Sequence, residues 1–321
     1  MRAISFDRTG GPEVLTETDL PVPVPAAGQV LVQVSHVGVH FADILFRRGQ
    51  FPVGLPHVPG LEIAGTVSAL GPGVTSLRVG QRVAALTHGG YAEYALADEG
   101  CTVPLEGELA GLASELAAAV VVNAPTVVGS LRGAARIAPG DSVLVLAAAG
   151  GLGSIATQLA RGYGASVVIG AVGSPDKAGR VRGCDAVLGY DELEARIPEL
   201  TGGRGVDIVL DSVGGPLRSR IGGLLALYGR HVVIGNASDE DLSLDANEVW
   251  YRSFALTGYN LGGTRDRRPD LLREQLEEGL RRVADGTVVL DVRTLDPSEA
   301  VKAHEQLESR ATTGKLVLRM G

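Results

Sequence analysis

Three glycines in the stretch "LAAAGGLGSIATQLAR", residues 146–161, are the first residues whose type and spacing could do chemistry. They follow the apolar run Ser142-Val143-Leu144-Val145-Leu146 and open what reads as a helix. Counted from Ala148, the spacing is A-x-G-x-x-G, the dinucleotide fingerprint with alanine in its first slot. In that role Gly150 lets the main chain approach a pyrophosphate, and Gly153 lets the helix pack closely on its strand. Ala149, Gly150, Gly151, Leu152 and Gly153 then present free N–H groups and the positive end of a helix dipole to the phosphates. A tight strand-to-helix turn also uses glycine for shape alone, but a strand before and a helix after favour the dinucleotide.

About 20 residues further on, NAD-selective sheets place an Asp or Glu against the ribose 2′-hydroxyl. Here "GAVGSPDKAGR" ends its strand on Gly173 and Ser174 without an acid, and Lys177 and Arg180 follow. A hydroxyl and cations accept a 2′-phosphate that a carboxylate would repel. The expected cofactor is NADPH. Asp176 reads as a surface residue opening a helix.

These residues need elements to hold them. From about residue 123, short apolar runs at 142–146, 166–170, 186–188, 207–211, 230–235 and 254–258 alternate with helical segments. That texture implies βαβ units and a doubly wound parallel sheet of six strands. The first third is instead β-rich and turn-rich, with Val30, Val32 and Val34 alternating as on a half-buried strand. After 263 a helix carries Leu272, Leu276, Leu280 and Val283 on one stripe. Asp296, Pro297 and Glu299 announce another helix, and "GKLVLRM" reads as a closing strand.

Composition sets outer limits. A chain of 321 residues with 45% hydrophobic content can bury a large core, and its length suggests two domains. A net charge of -8 argues against a nucleic-acid surface. No apolar run reaches the roughly 18 residues of a membrane span, and "MRAISFDRTGG" lacks the apolar core of a signal peptide. Cys101 and Cys184 supply neither a disulfide framework nor a four-thiolate zinc lobe, so a soluble protein of the reducing cytoplasm is expected.

The whole chain resembles the zinc-free quinone oxidoreductase family, which includes zeta-crystallin, within the medium-chain dehydrogenase/reductase superfamily. The residues that carry the resemblance are "GGPEVL" (10–15), "HFADILFRRGQFP" (40–52), "VPGLEIAGTV" (58–67), "VGQRV" (79–83), "GGYAEY" (89–94), the glycine stretch, "DSVGG" (211–215) and "HEQLESRATTGKLVL" (304–318). The resemblance implies an α/β protein: a GroES-like β-barrel catalytic domain (1–122 and 263–321) and a Rossmann domain (123–262), with the active site in the cleft between them. It implies a homodimer paired through the edge strand at 254–258, with Trp250, Tyr251 and Phe254 as interface aromatics or core residues.

The resemblance also assigns site residues. Zinc-dependent relatives hold their metal with Cys, a Gly-His-Glu histidine and a further ligand; here those positions read His40 and Gly60-Leu61-Glu62, with no cysteine cluster between 85 and 100. One imidazole and one carboxylate do not complete a catalytic zinc set, so no metal is expected. Zinc-free relatives carry Asn and Tyr where this chain has His40, Leu45 and Phe51, whereas Arg47 matches. His40 becomes the candidate donor of a hydrogen bond or proton to a developing oxyanion. Arg47 becomes a candidate for stabilising that anion, with a fold-supporting ion pair equally open. Asp43 reads as a cap, Glu62 as a structural acid, Tyr91 and Tyr94 as wall residues, and His36, His57, His88, His231 and His304 as structural. Thr126, Ser212, Val213, Gly235 and Asn236 are expected near the cofactor, as are Tyr190, Arg310 and Lys315 on its phosphate side.

The expected activity is hydride transfer from NADPH to a quinone or another α,β-unsaturated carbonyl. An enoyl reductase of a polyketide pathway and an NADPH-binding protein without significant turnover stay open beside it. The expected partner is therefore a small molecule, with no nucleic acid and no membrane.

Overall fold

The computed structural model describes residues 1–240 and 245–321. The chain runs through β1 (Arg2–Ser5), β2 (Thr16–Asp19), β3 (Gln29–Gly38), α1 (Phe41–Arg47), β4 (Glu62–Leu70), β5 (Arg82–Leu86), β6 (Tyr94–Asp98), β7 (Thr102–Pro104), α2 (Ser114–Val120) and α3 (Asn123–Val128). It continues as β8 (Ser142–Val145), α4 (Gly151–Gly162), β9 (Val167–Val172), β10 (Ala186–Gly189), α5 (Leu193–Leu200), β11 (Val206–Asp211), α6 (Gly215–Ile221), β12 (Leu225–Val233), α7 (Ala246–Arg252) and β13 (Ala255–Gly258). It ends with α8 (Leu261–Arg267), α9 (Pro269–Ala284), β14 (Val292–Leu295), α10 (Ala300–Glu308) and β15 (Lys315–Arg319). Two compact units result: residues 1–125, 262–286 and 290–321 form one, and residues 126–261 with 287–289 form the other.

In the first unit, β3 is the hub. It pairs with β4, β6 and β15, within a sheet ordered β14-β15-β3-β4-β5-β7. Val30, Val32 and Val34 point into a core shared with Ile63, Val67 and Val83. The simple alternation then breaks, because the β3–β4 register shifts between Val34 and His36, so Val37 takes the inward place that His36 would otherwise hold. A bulge of this kind reverses the phase of every later side chain on the strand, and it sets the backbone that leads to His40. The helix announced by Asp296 starts as expected: Asp296 and Glu299 form a capping box, and α10 follows.

In the second unit, six parallel strands are ordered β10-β9-β8-β11-β12-β13. The order reverses direction at β8, as in doubly wound dinucleotide-binding sheets. Val143, Leu144 and Val145 of β8 are fully buried, which suits a central strand covered on both faces. α4 lays Ile155, Ala156, Leu159 and Ala160 against the sheet. Among the described residues, no single helix is long and apolar enough to cross a membrane.

Candidate functional site

The glycine turn is shaped by close packing. A β-carbon on Gly153 would lie 2.3 Å from the Ala147 carbonyl oxygen, so this position tolerates no side chain. On Gly150 the same atom would lie 3.3 Å from that oxygen, a tight contact that the backbone must yield a few tenths of an ångström to accept. Gly150 is the N-cap of α4 and offers no side-chain oxygen, so the first-turn N–H groups of Gly151, Leu152 and Gly153 remain for an external acceptor. Ala147 adopts φ +51, and its N–H donates to the Tyr190 hydroxyl at 3.2 Å. Tyr190 thus braces the turn, and its ring lies 3.5 Å from where a Gly173 β-carbon would stand.

At the end of β9, Gly173 is exposed and Ser174 and Lys177 are half-buried. Asp176 is exposed and opens the 3-10 turn at Pro175–Arg180, as expected of a surface residue there, and the Ser174 hydroxyl donates to its carboxylate.

Asp211, quoted in sequence but given no role, organises the neighbouring loops. Its carboxylate accepts from the N–H groups of Val213 and Gly214, both at 2.9 Å, from Arg218 Nε at 2.6 Å and from His231 Nε2 at 3.0 Å. Arg218 Nη2 also donates to the Gly235 carbonyl at 2.6 Å. Burial alone would raise this carboxyl's pKa, but the bonds from His231, Arg218 and Gly214 hold it below its usual value. Ser212, Val213, Gly235 and Asn236 are brought together at the C-terminal ends of β11 and β12, with Ala237 N–H on the Ser212 carbonyl and Ser238 N–H on that of Val213. Thr126 is buried on α3.

In the first unit, His40 is the N-cap of α1. Its Nδ1 accepts from the Ala42 N–H at 3.1 Å, while the Asp43 carboxylate accepts from the His40 N–H at 2.9 Å. Asp43 Oδ1 also takes the Gly60 N–H at 2.9 Å. Burial pushes the Asp43 carboxyl up to about 6 despite these bonds. His40 Nε2 lies 3.0 Å from Asn123 Oδ1. Burial, reinforced by the Lys315 cation, pushes the His40 imidazole down to about 3. It is neutral throughout the physiological range, which corrects the expectation of a proton donor titrating near neutrality; a neutral N–H donor is what remains.

Arg47 is fully buried and ion-paired with Glu308 of α10, the fold-supporting alternative to an anion-stabilising role. Lys315 is likewise buried and ion-paired with Glu62, instead of reaching for a phosphate. Arg310 is exposed, with φ +55, just after α10. Tyr91 is fully buried and shares a 3.1 Å hydrogen bond with His304 Nε2. Sequence reading missed Asn123, whose partner lies 83 positions away and whose local context is a run of small apolar residues.

The chain matches the family model described as "Alcohol dehydrogenase GroES-like domain" over residues 26–107 and that described as "Zinc-binding dehydrogenase" over 151–277. That pairing is the architecture of the medium-chain dehydrogenase/reductase superfamily. Quinone oxidoreductase 1 of Escherichia coli is 34% identical over 342 residues, covering 98% of each chain. The crystal structure of Escherichia coli quinone oxidoreductase complexed with NADPH matches at TM-score 0.92 and 33% identity, covering 99% of this chain and 100% of that one. A polyketide synthase of Streptomyces halstedii is 36% identical over 299 residues, 91% of this chain and 5% of that protein. The chain belongs to the quinone oxidoreductase family of the medium-chain dehydrogenase/reductase superfamily.

The second model's name implies zinc, and the donor set does not fit it. His40 has both ring nitrogens engaged, Leu61 offers no donor atom, and Glu62 is tied to Lys315 and to the Val122 N–H at 2.7 Å. Among the described residues, no group of three or more His, Cys, Asp or Glu side chains gathers as a metal site.

Proposed function

We propose that this protein is an NADPH-dependent oxidoreductase that transfers a hydride to a quinone, or to another α,β-unsaturated carbonyl, without zinc. The observation that carries the reading is the end-to-end identity with quinone oxidoreductases. The glycine turn supports it, because the uncapped start of α4 and the loops latched by Asp211 suit a dinucleotide. Lys177, with the Ser174 hydroxyl, favours a 2′-phosphate, while Asp176 works against it.

When bound, NADPH supplies the hydride. The protein's task is to orient the acceptor and to meet the charge that gathers on its oxygen. His40 is assigned this role, its single N–H leaving Asn123 Oδ1 to reach that oxygen. The glycine turn holds the diphosphate, and Ser212, Val213, Gly235 and Asn236 line the strand ends where ligands of open α/β sheets bind. Thr126 acts on the nicotinamide side and Tyr190 near the adenosine ribose, with exposed Arg310 kept as a phosphate-side contact.

The protein is a homodimer in this reading. β13 is an edge strand with exposed Leu256, and Trp250 and Tyr251 beside it are 70% and 75% exposed. Phe254, at 7%, belongs to the core instead. Both cysteines are free thiols, which suits a reducing cytoplasm.

A second reading, an enoyl reductase acting on a polyketide-pathway intermediate, is favoured by the match to a polyketide synthase. Steady-state NADPH oxidation with soluble quinones, enones and enoyl thioesters separates the two. The quinones are expected to give the highest kcat/KM. Turnover of enoyl thioesters alone would establish the second reading, and tight NADPH binding with no acceptor reduced would leave a binding protein and contradict both.

A further inference from the structure

We propose that Asn123 is a positioning residue that fixes His40 as a neutral imidazole with its single proton on Nε2, held by Asn123 Oδ1 until an acceptor oxygen takes its place, so that the proton completing reduction comes from solvent. The last clause rests on the oxidoreductase reading above; the first stands on geometry alone. The Ala42 N–H can only donate, so Nδ1, which receives it at 3.1 Å, carries a lone pair. A neutral ring has one proton, which therefore sits on Nε2. Nε2 is 3.0 Å from Asn123 Oδ1, an acceptor on a side chain only 2% exposed.

The charged groups around the ring are Lys315, Asp43 and Glu62. Lys315, from β15, opposes a second proton on the imidazole. Asp43, on the same helix, spends its two carboxylate oxygens on the N–H groups of His40 and Gly60. Glu62, from β4, is paired with Lys315 and accepts from Val122. Protonating Nδ1 would turn it toward the Ala42 N–H as donor against donor, and the helix cap would be lost. His40 thus begins and ends a turnover with the same proton. A quinone takes a hydride from NADPH and one proton from water, giving hydroquinone and NADP+.

The test is NMR of the His40 ring nitrogens in the intact protein, with Asn123 variants beside the wild type. In the wild type we expect Nε2 protonated, Nδ1 bare and no titration between about pH 5 and 8. A proton on Nδ1, or a midpoint within that range, would overturn the proposal. In Asn123→Asp the new carboxylate should lift the ring's titration into the range and add a limb to the pH profile of kcat; a profile superimposable on wild type would count against it. In Asn123→Ala, kcat should fall roughly 10- to 100-fold with NADPH affinity unchanged. An unchanged kcat removes the positioning role. If the wild type reduces no acceptor, the failure belongs to the proposed activity, and the ring-nitrogen measurement still decides the state of His40.

Discussion

Gly150 and Gly153 stand in one turn but answer to different constraints. Gly153 is dictated by packing, because the Ala147 carbonyl occupies the space of its side chain. Gly153→Ala should cost about 1–3 kcal/mol of stability in denaturant unfolding, as overpacking does. Gly150→Ala meets the same oxygen at a tight 3.3 Å and should cost less stability than Gly153→Ala. Its main effect should appear as weaker NADPH binding, since the lost space is the ligand's. Equal loss of stability in both variants would make the turn purely structural. At the ribose end, Lys177→Ala should weaken NADPH binding roughly tenfold, about 1.5 kcal/mol for a charged hydrogen bond, and leave NADH unaffected. Asp176→Asn should act in the opposite sense, because it removes the carboxylate that now holds the Ser174 hydroxyl. Titration of both cofactors by fluorescence reads each change.

At the scale of elements, the ends of β11 and β12 are joined by one carboxylate. Asp211→Ala would leave Arg218 and His231 buried without their partner and free the Val213 and Gly214 N–H groups. A loss of about 3–5 kcal/mol in chemical unfolding is expected, as for other broken buried ion pairs. The parallel strands around it were legible in sequence because each is an apolar run between glycine-rich turns, and the observed β8, β11 and β13 fall within one residue of those runs. Local patterns do not report what the chain does across distance. The bulge in β3 is a property of its pairing with β4 and leaves no mark on the Val30–Val34 alternation. The ion pairs of Lys315 with Glu62 and of Arg47 with Glu308 are likewise made only by folding, so charges that read as ligands for an anion proved to be committed to carboxylates. His40 was legible as a site residue through its segment, but its tautomer was not, because that depends on Asn123.

For the molecule as a whole, buried titratable groups set how stability responds to acid. His40 and His304 both lie at about 3, below the ordinary 6.5. Between those values the unfolded chain binds more protons than the folded one, so each histidine's contribution is complete above about pH 6.5 and is lost as pH falls toward 3. Asp43, raised from 3.8 to about 6, works in the opposite direction over its narrower window. Stability is expected to decline on acidification below pH 6.5. In His304→Leu the slope should be shallower by up to about 1.4 kcal/mol per pH unit, read from urea midpoints across that range. An unchanged slope would mean that His304 is not buried neutral. Assembly is the other property at this scale: if the proposed homodimer pairs through β13, Leu256→Lys together with Trp250→Lys should give monomers in analytical ultracentrifugation, since charges on an edge strand oppose pairing.

Hydride transfer from NADPH to a quinone, without zinc, is the reaction proposed for this protein. Its most direct measurement is the turnover of NADPH with a soluble benzoquinone by protein exhaustively treated with a zinc chelator, with the metal content determined on the same sample. Stoichiometric formation of hydroquinone and NADP+ at a rate equal to that of untreated protein is the predicted result. Loss of turnover on chelation that added zinc restores would contradict it.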